Sequence, residues 1–217
     1  MLNTAQLSPI RLFLARHGES IANQQKLISG QLDTPLSVKG KQQAQWLRDV
    51  LKHNRLSAIY TSSLSRTVET AKPTADYHGL DIQSIDDLKE FHFGELQGVP
   101  VNVKANHRDS HRQVRASDQG RMTISGAESY SAFEQRITQC LDRLLSTVSS
   151  DILIVGHRNT NEVILAKLLS RTFDRHKTIN VKNKYLYEIE LGLKTTVNTI
   201  RLGGEHHGIK FSGLKDD

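Results

Sequence analysis

Two stretches of this chain end a short apolar run in a histidine. Leu12-Phe13-Leu14-Ala15 leads into Arg16-His17-Gly18-Glu19, and Leu153-Ile154-Val155 leads into Gly156-His157-Arg158-Asn159. A short continuous apolar run that stops at a polar, glycine-containing turn suits a buried strand. In an open α/β sheet the polar residues just past the strands' carboxyl ends face the ligand crevice. The two runs therefore put two histidines at the same edge of one sheet.

The rest of the chain alternates helices with short apolar strands. Ile10 to Ala15 reads as the first strand, and residues 20 to 36, rich in Asn, Gln, Ser, Gly and Pro, as a long functional loop. Ser37 is a candidate N-cap for a helix with apolar positions Val38, Ala44, Trp46, Leu47, Val50 and Leu51. Ala58 to Thr61 is a second strand. Leu64 to His78 is a helix that Pro73 should kink or interrupt, because proline removes a backbone donor. Ile82 to Ile85 is a further strand. Ser131 and Glu134 have capping-box spacing near the start of a helix running to about Val148. Asp151 to Val155 is again a strand, Thr160 to Leu169 a helix, and Tyr185 to Leu191 with Thr196 to Leu202 two strands joined around Gly192. This pattern predicts one domain over residues 1–217, a three-layer α/β/α sandwich with a central, mostly parallel sheet. A small inserted cap region at about 99–125 interrupts it, basic through Lys104, Arg108, Arg112, Arg115 and Arg121.

Composition removes several classes of function. Cys140 is the only cysteine, so there is no internal disulfide and no cysteine cluster for a metal. No run of about 18 apolar residues appears, and Met1 to Ile10 lacks the basic flank and apolar core of a signal peptide. A cytoplasmic location is the expectation. Lys and Arg total 29 against 23 Asp and Glu, a net +6. That balance favours anionic partners, whether nucleic acid, acidic lipid or phosphorylated metabolite, without choosing among them.

The chemistry narrows the choice. A neutral imidazole is a nucleophile at physiological pH, and Arg16 beside it can present a planar, permanently charged fork to phosphoryl oxygens. Gly18 leaves room for close approach by backbone or phosphate. One Arg-His-Gly is common by chance; the accompanying motifs are not. RHGESIAN (16–23), ISGQLDTPLSVKGKQQA (28–44), YTSSLSRTVETA (60–71), LKEFHFGELQG (88–98), SGAESYSAFEQR (125–136) and VGHRNTN (155–161) follow one another in the order of the histidine phosphatase superfamily, which the chain resembles over about residues 10 to 170.

The resemblance implies that His17 becomes a phosphohistidine. Arg16, Arg66 and His157 would surround the phosphoryl group, His157 contributing most when protonated, and Asn23 would add a neutral donor. Glu90 matches the family's acid–base carboxylate, and Ser29, Gly30 and Arg158 fall where substrate is bound. It also implies no metal, no cofactor, no nucleic acid and no membrane, with a small phosphorylated metabolite as partner. Such a pocket suits phosphoryl transfer, which rests on positioning and on stabilising charged oxygens.

Within the superfamily the details favour a phosphatase. GQLDTPLSVKG resembles phosphatase-like members, residues 99–125 lack the Arg-Arg-Ser-Tyr stretch of the glycolytic mutases, and Phe93 stands where those mutases carry a tyrosine. Asn159 leans the other way, toward a phosphoglycerate mutase-type phosphotransferase, and the basic insertion leaves open a phospholigand or nucleic-acid binder without turnover. Arg158 replaces the glycine usual after the second histidine. Other features keep ordinary readings: Glu19 structural, Cys140 buried in its helix, His206 and His207 facing solvent. His107 and His111 lie at i, i+4, but no glutamate completes a zinc signature.

Overall fold

A computed structural model describes residues 9–101, 124–170 and 180–215. Among these residues seven strands form one sheet in the order β3-β2-β4-β1-β5-β6-β7. The strands are β1 (Ile10–Arg16), β2 (Ala58–Thr61), β3 (Ile82–Ser84), β4 (Ile152–Gly156), β5 (Tyr185–Leu191), β6 (Thr196–Arg201) and β7 (Lys210–Ser212). Strands β3, β2, β4 and β1 run parallel, whereas β1–β5, β5–β6 and β6–β7 pair antiparallel. Parallel pairing thus governs the half of the sheet that carries both histidines. The other half is antiparallel because β5, β6 and β7 follow one another through short connections, and parallel neighbours need a long crossover.

Alternation along the strands explains the three layers. Leu12, Leu14, Ile152 and Ile154 face one side, into a core with Phe133, Ile137, Leu141, Val163 and Ile164. Phe13, Ala15, Leu153 and Val155 face the other, into a core with Leu47, Leu51, Ala71 and Ala75. Because successive side chains point to opposite faces, a strand buried on both faces has no polar position to spare. The first core is closed by α4 (Tyr130–Thr147) and α5 (Arg158–Leu168), the second by α2 (Val38–Leu51) and α3 (Ser65–His78).

Local signals account for the helix ends, with three differences from expectation. Ser37 caps α2, its Oγ accepting from Gly40 N at 3.1 Å. The predicted loop after β1 holds a short helix, α1 (Ile21–Gln24), closed by a Ser20–Asn23 capping box. The cap of α4 is Ser129, whose Oγ accepts from Ala132 N at 3.1 Å; Ser131 already lies inside the helix and only shares a hydrogen bond with Ser129. Helix α3 runs through Pro73 without a break. The proline forfeits one bond to the preceding turn, and the buried Ala71, Thr74 and Ala75 beside it hold the helix to the sheet.

Candidate active site

The two histidine-bearing strand ends lie side by side. In the β1–β4 ladder Arg16 pairs with Gly156, and His17 N donates to Gly156 O at 3.0 Å. The rings of His17 and His157 follow immediately, with centroids 5.2 Å apart and planes at 61°. Both are buried, at 4% and 0% exposure. Gly18 is forced by packing: a Cβ there would sit 2.6 Å from Gly40 O. The space that the missing side chain leaves is taken by the backbone of α2.

Hydrogen bonds decide which nitrogen of each ring is free. His17 Nδ1 lies 2.6 Å from Gly18 O. A carbonyl only accepts, so Nδ1 carries the hydrogen and Nε2 keeps its lone pair. Burial, then the charges of Arg66 and Arg16, hold the His17 pKa well below the usual imidazole value. The ring is neutral and its Nε2 is nucleophilic at neutral pH. His157 contacts Ser62 Oγ through Nε2 at 2.8 Å, and burial followed by Arg66, His17 and Arg16 lowers its pKa well below the usual value too. His157 would contribute most when protonated, but in the free protein its burial, and then the neighbouring charges of Arg66 and Arg16, favour the neutral ring.

Eight of the nine site residues expected from sequence, Arg16, His17, Asn23, Ser29, Gly30, Arg66, Glu90 and Arg158, line one cavity of about 130 Å³; His157 packs against His17. Asn23 Oδ1 accepts from Ser20 N at 3.2 Å, which leaves its amide N–H groups as the available donors. Arg66 is 1% exposed and gives its Nη atoms to Leu32 O at 2.9 Å and Gly30 O at 2.7 Å. Gly30 thus serves the site partly by anchoring Arg66. Burial lowers the Arg66 pKa to about 10, so it stays charged at neutral pH. Arg16 donates from Nη1 to Val181 O at 3.0 Å. Arg16 Nε, Arg66 Nε, His157 Nδ1 and Ser29 Oγ are buried without a hydrogen-bond partner among the described residues. Buried donors that the protein leaves unpaired are costly, and an oxyanion would pair them.

Glu90 stands opposite these cations, its Oε1 accepting from Phe91 N at 2.8 Å and its Oε2 from Asn159 N at 3.2 Å. Its own segment is pinned by Arg136 and Thr160, which donate to Lys89 O at 3.0 and 3.2 Å. Arg158, the first residue of α5, donates from Nε to Glu162 Oε1 at 3.2 Å.

Sequence reasoning missed Ser62 and Glu162. Ser62 sits inside the recognised 60–71 motif, and Glu162 stands four residues after Arg158, the spacing of a helical ion pair. The apolar walls Leu27, Ile28, Phe93 and Val101 were also missed. Glu19 is structural as expected, accepting from Ser37 Oγ at 2.8 Å and Lys39 Nζ at 3.0 Å. Cys140 is buried at 2% exposure. His206 is exposed, but His207 is half-buried: its ring lies 6.4 Å from Trp46. Among the described residues no group of three or more His, Cys, Asp and Glu side chains is placed to hold a metal, and no helix is long and apolar enough to cross a membrane. Lys104, His107, Arg108, His111, Arg112, Arg115 and Arg121 lie outside the described residues, as does most of the 99–125 segment.

Comparison with known proteins gives the family and the fold. The model of the histidine phosphatase superfamily (branch 1) matches residues 12–199. The chain is 29% identical over 184 residues to the probable phosphoglycerate mutase GpmB of Yersinia enterocolitica, covering 83% of this chain and 85% of that protein. Among solved structures, the alpha-ribazole phosphatase of Shigella flexneri superposes with a TM-score of 0.76 at 25% identity, over 92% of this chain and 99% of that one. A mycobacterial glucosyl-3-phosphoglycerate phosphatase shares the fold with a TM-score of 0.73 at 22% identity, over 89% and 100% of the respective chains.

Proposed function

The chain belongs to the histidine phosphatase superfamily, and from that premise we propose that it hydrolyses phosphomonoesters of small metabolites through a phosphohistidine on His17. The observation that carries the reading is the buried, neutral His17, its Nδ1–H tied to Gly18 O, in a cavity also lined by Arg16 and Arg66. In the first step His17 Nε2 forms a bond to phosphorus while the bond from phosphorus to the ester oxygen breaks. Glu90 gives a proton to that departing oxygen, which leaves as an alcohol. In the second step the Glu90 carboxylate takes a proton from water, the water oxygen bonds to phosphorus, and the phosphorus–nitrogen bond breaks. Inorganic phosphate leaves and both residues return to their starting states.

Arg16, Arg66, Asn23 and His157 Nδ1 would hold the oxygens through both steps. Preorganised donors in a water-poor site stabilise developing charge far better than solvent does. The test is direct: rapid quench of the enzyme with a labelled phosphomonoester should trap an acid-labile phosphohistidine. Its persistence in a His17→Ala variant would overturn the assignment.

A second reading, phosphoryl transfer back to a substrate hydroxyl, is favoured by the likeness to a probable phosphoglycerate mutase. The two divide on the fate of the trapped phosphoryl group. Release as inorganic phosphate at a rate independent of added phosphoglycerate supports hydrolysis; capture by phosphoglycerate in preference to water supports the mutase.

A further inference from the structure

Among the carboxylates around the cavity, the proposed reaction leaves Glu162 without a task. It is 1% exposed, and its charge and those of Glu90, Arg16 and Arg158 act on one another. An i, i+4 pair on a helix is ordinarily a solvated device that adds little stability. This one is not solvated: its acidic partner is buried beneath the site, while Arg158 keeps a side-chain exposure of 32% and lines the cavity. A buried carboxylate costs several kcal/mol to desolvate, on the order of the attraction it gains, so surface stability is a poor reason for the pair.

Its geometry offers a better one. Glu162 engages Arg158 at Nε alone. Both Nη groups make no hydrogen bond to another described residue, and they end a side chain that lines the same cavity as His17. The proximity of Arg158 is felt by Arg16, whose pKa is lowered by burial first and by Arg158 second. A guanidinium held at one edge keeps the other edge as a planar fork, and that fork matches the two oxygens of a carboxylate or phosphate. The nucleophile's own pocket already has Arg16 and Arg66 for the transferring group. A third arginine, anchored separately, serves a different anion.

We propose that Arg158, oriented by Glu162, is a second anion-recognition element, so that preferred substrates are phosphomonoesters carrying a further carboxylate or phosphate a short spacer away from the scissile group. Arg158 binds the distal anion; Glu162 is a positioning residue that acts through Arg158. This rests on the phosphatase reading for which phosphate reacts, but the subsite can be tested without turnover.

The experiment measures binding of three non-hydrolysable phosphonates by calorimetry: an alkyl phosphonate, the same chain ending in a carboxylate, and the same chain ending in a second phosphonate. The full-length protein should bind at least one dianionic-ended probe about tenfold or more tightly than the plain one, the effect of one charge-assisted, bidentate contact. Which of the two wins identifies the distal group. Arg158→Gln should bring the ratio to within about twofold of one, and Arg158→Lys should recover only part of it, since it keeps the charge but loses the fork. Glu162→Gln, close in shape, should lower the ratio by about threefold without abolishing it, because the fork survives unanchored. Equal affinity for all three probes in the wild-type protein overturns the proposal, and so does a ratio untouched by Arg158→Gln. A ratio unchanged in Glu162→Gln removes Glu162 from it. Failure of the phosphatase reading shows elsewhere, as absence of phosphate release from any ester while these affinities stand.

Discussion

The two strand ends that build the site occupy equivalent places in the sheet, yet they hold their histidines in different ways. At the end of β1, His17 is fixed by its own neighbour's backbone through Nδ1, and Gly18 lets α2 press against the turn. At the end of β4, His157 is fixed through Nε2 by Ser62, a side chain from another strand's end, and Arg158 follows where the first turn has glycine. Among the described residues one ring keeps an Nε2 with no hydrogen-bond partner and the other an Nδ1 without one. Equivalent position gives proximity; the hydrogen-bond partner decides whether a ring presents a lone pair or a hydrogen to the cavity.

The largest effects should separate the two rings. His17→Ala should lower phosphatase kcat by about 10⁴-fold or more, as expected for loss of a covalent nucleophile. His157→Ala should cost about 10²–10³-fold, the scale of one lost donor to a developing oxyanion, while His17 is still phosphorylated. Steady-state kinetics with an aryl phosphate and quench trapping check both. Comparable losses, or trapping that survives only in the His17 variant, would break the assignment of roles.

The turns themselves should differ in tolerance. At Gly18 an added Cβ meets Gly40 O at 2.6 Å, a backbone atom of α2 that can move away only with the helix. At Gly156 an added Cβ meets the side chain of Asn161 at 2.2 Å, which can swing at the cost of its bond to Ala15 O at 2.9 Å. Gly18→Ala should therefore destabilise by about 3 kcal/mol, the upper range for overpacking, and Gly156→Ala by about 1 kcal/mol, the worth of one hydrogen bond. Urea denaturation measures both; equal losses would show that the two turns are packed alike, and the reverse order would overturn the contrast.

Much of this was legible because it is local. The apolar runs of β1 and β4, the Ser37 cap and the ordered motifs point to the sheet edge and to the polar side of the cavity without any structure, but not to its apolar walls. What stayed hidden depends on the third dimension. Asn159 N reaching Glu90, and Ser62 reaching His157 across 95 residues, follow from how the strands are ordered, β2 lying beside β4. Neutral histidines were half legible: the resemblance puts Arg16 and Arg66 around His157, but the burial that does most to keep it unprotonated becomes visible only when the side chains are placed. Capping-box spacing points to Ser131, whereas the cap is Ser129, the residue whose hydroxyl meets Ala132 N.

The carboxylates behind the turns sharpen the contrast further. Glu19, two residues past His17, has its pKa lowered: its hydrogen bonds from Ser37 and Lys39 outweigh the opposing effect of burial. Glu162, five residues past His157, is raised to about 7, because burial outweighs Arg158. For a carboxyl with a raised folded pKa, the native state keeps a proton that the unfolded chain releases from about pH 4.5 upward. Stability from this group is therefore full below about 4.5, falls as pH rises toward about 7, and is level beyond. The difference in unfolding free energy between wild type and Glu162→Gln should shift by on the order of 3 kcal/mol across that window. A flat difference from pH 4.5 to 7.5 would place Glu162 in an environment like that of Glu19.

The smallest effect tests how His157 is set. Thr67 Oγ1 has one hydrogen, and it lies 2.8 Å from Leu64 O and 3.0 Å from Ser62 O. Ser62 Oγ accepts from Leu64 N at 3.2 Å. The single Ser62 hydrogen can then go to Thr67 Oγ1 at 2.9 Å or to His157 Nε2 at 2.8 Å. Only the second choice puts the imidazole hydrogen on Nδ1, where it can meet a phosphoryl oxygen; the first leaves a lone pair facing an anion. With inorganic phosphate bound, ¹⁵N shifts of the His157 ring should report mainly the Nδ1–H form in the wild type and a mixture in Ser62→Ala. The variant should lose about tenfold in kcat, the value of one buried hydrogen bond, and Ser62→Thr should restore most of it. The His17 shifts should not move, because backbone and not Ser62 holds that ring. If both histidines respond alike, or if the His157 tautomer ignores Ser62, the distinction between a ring fixed by backbone and a ring fixed by a side chain has no chemical consequence.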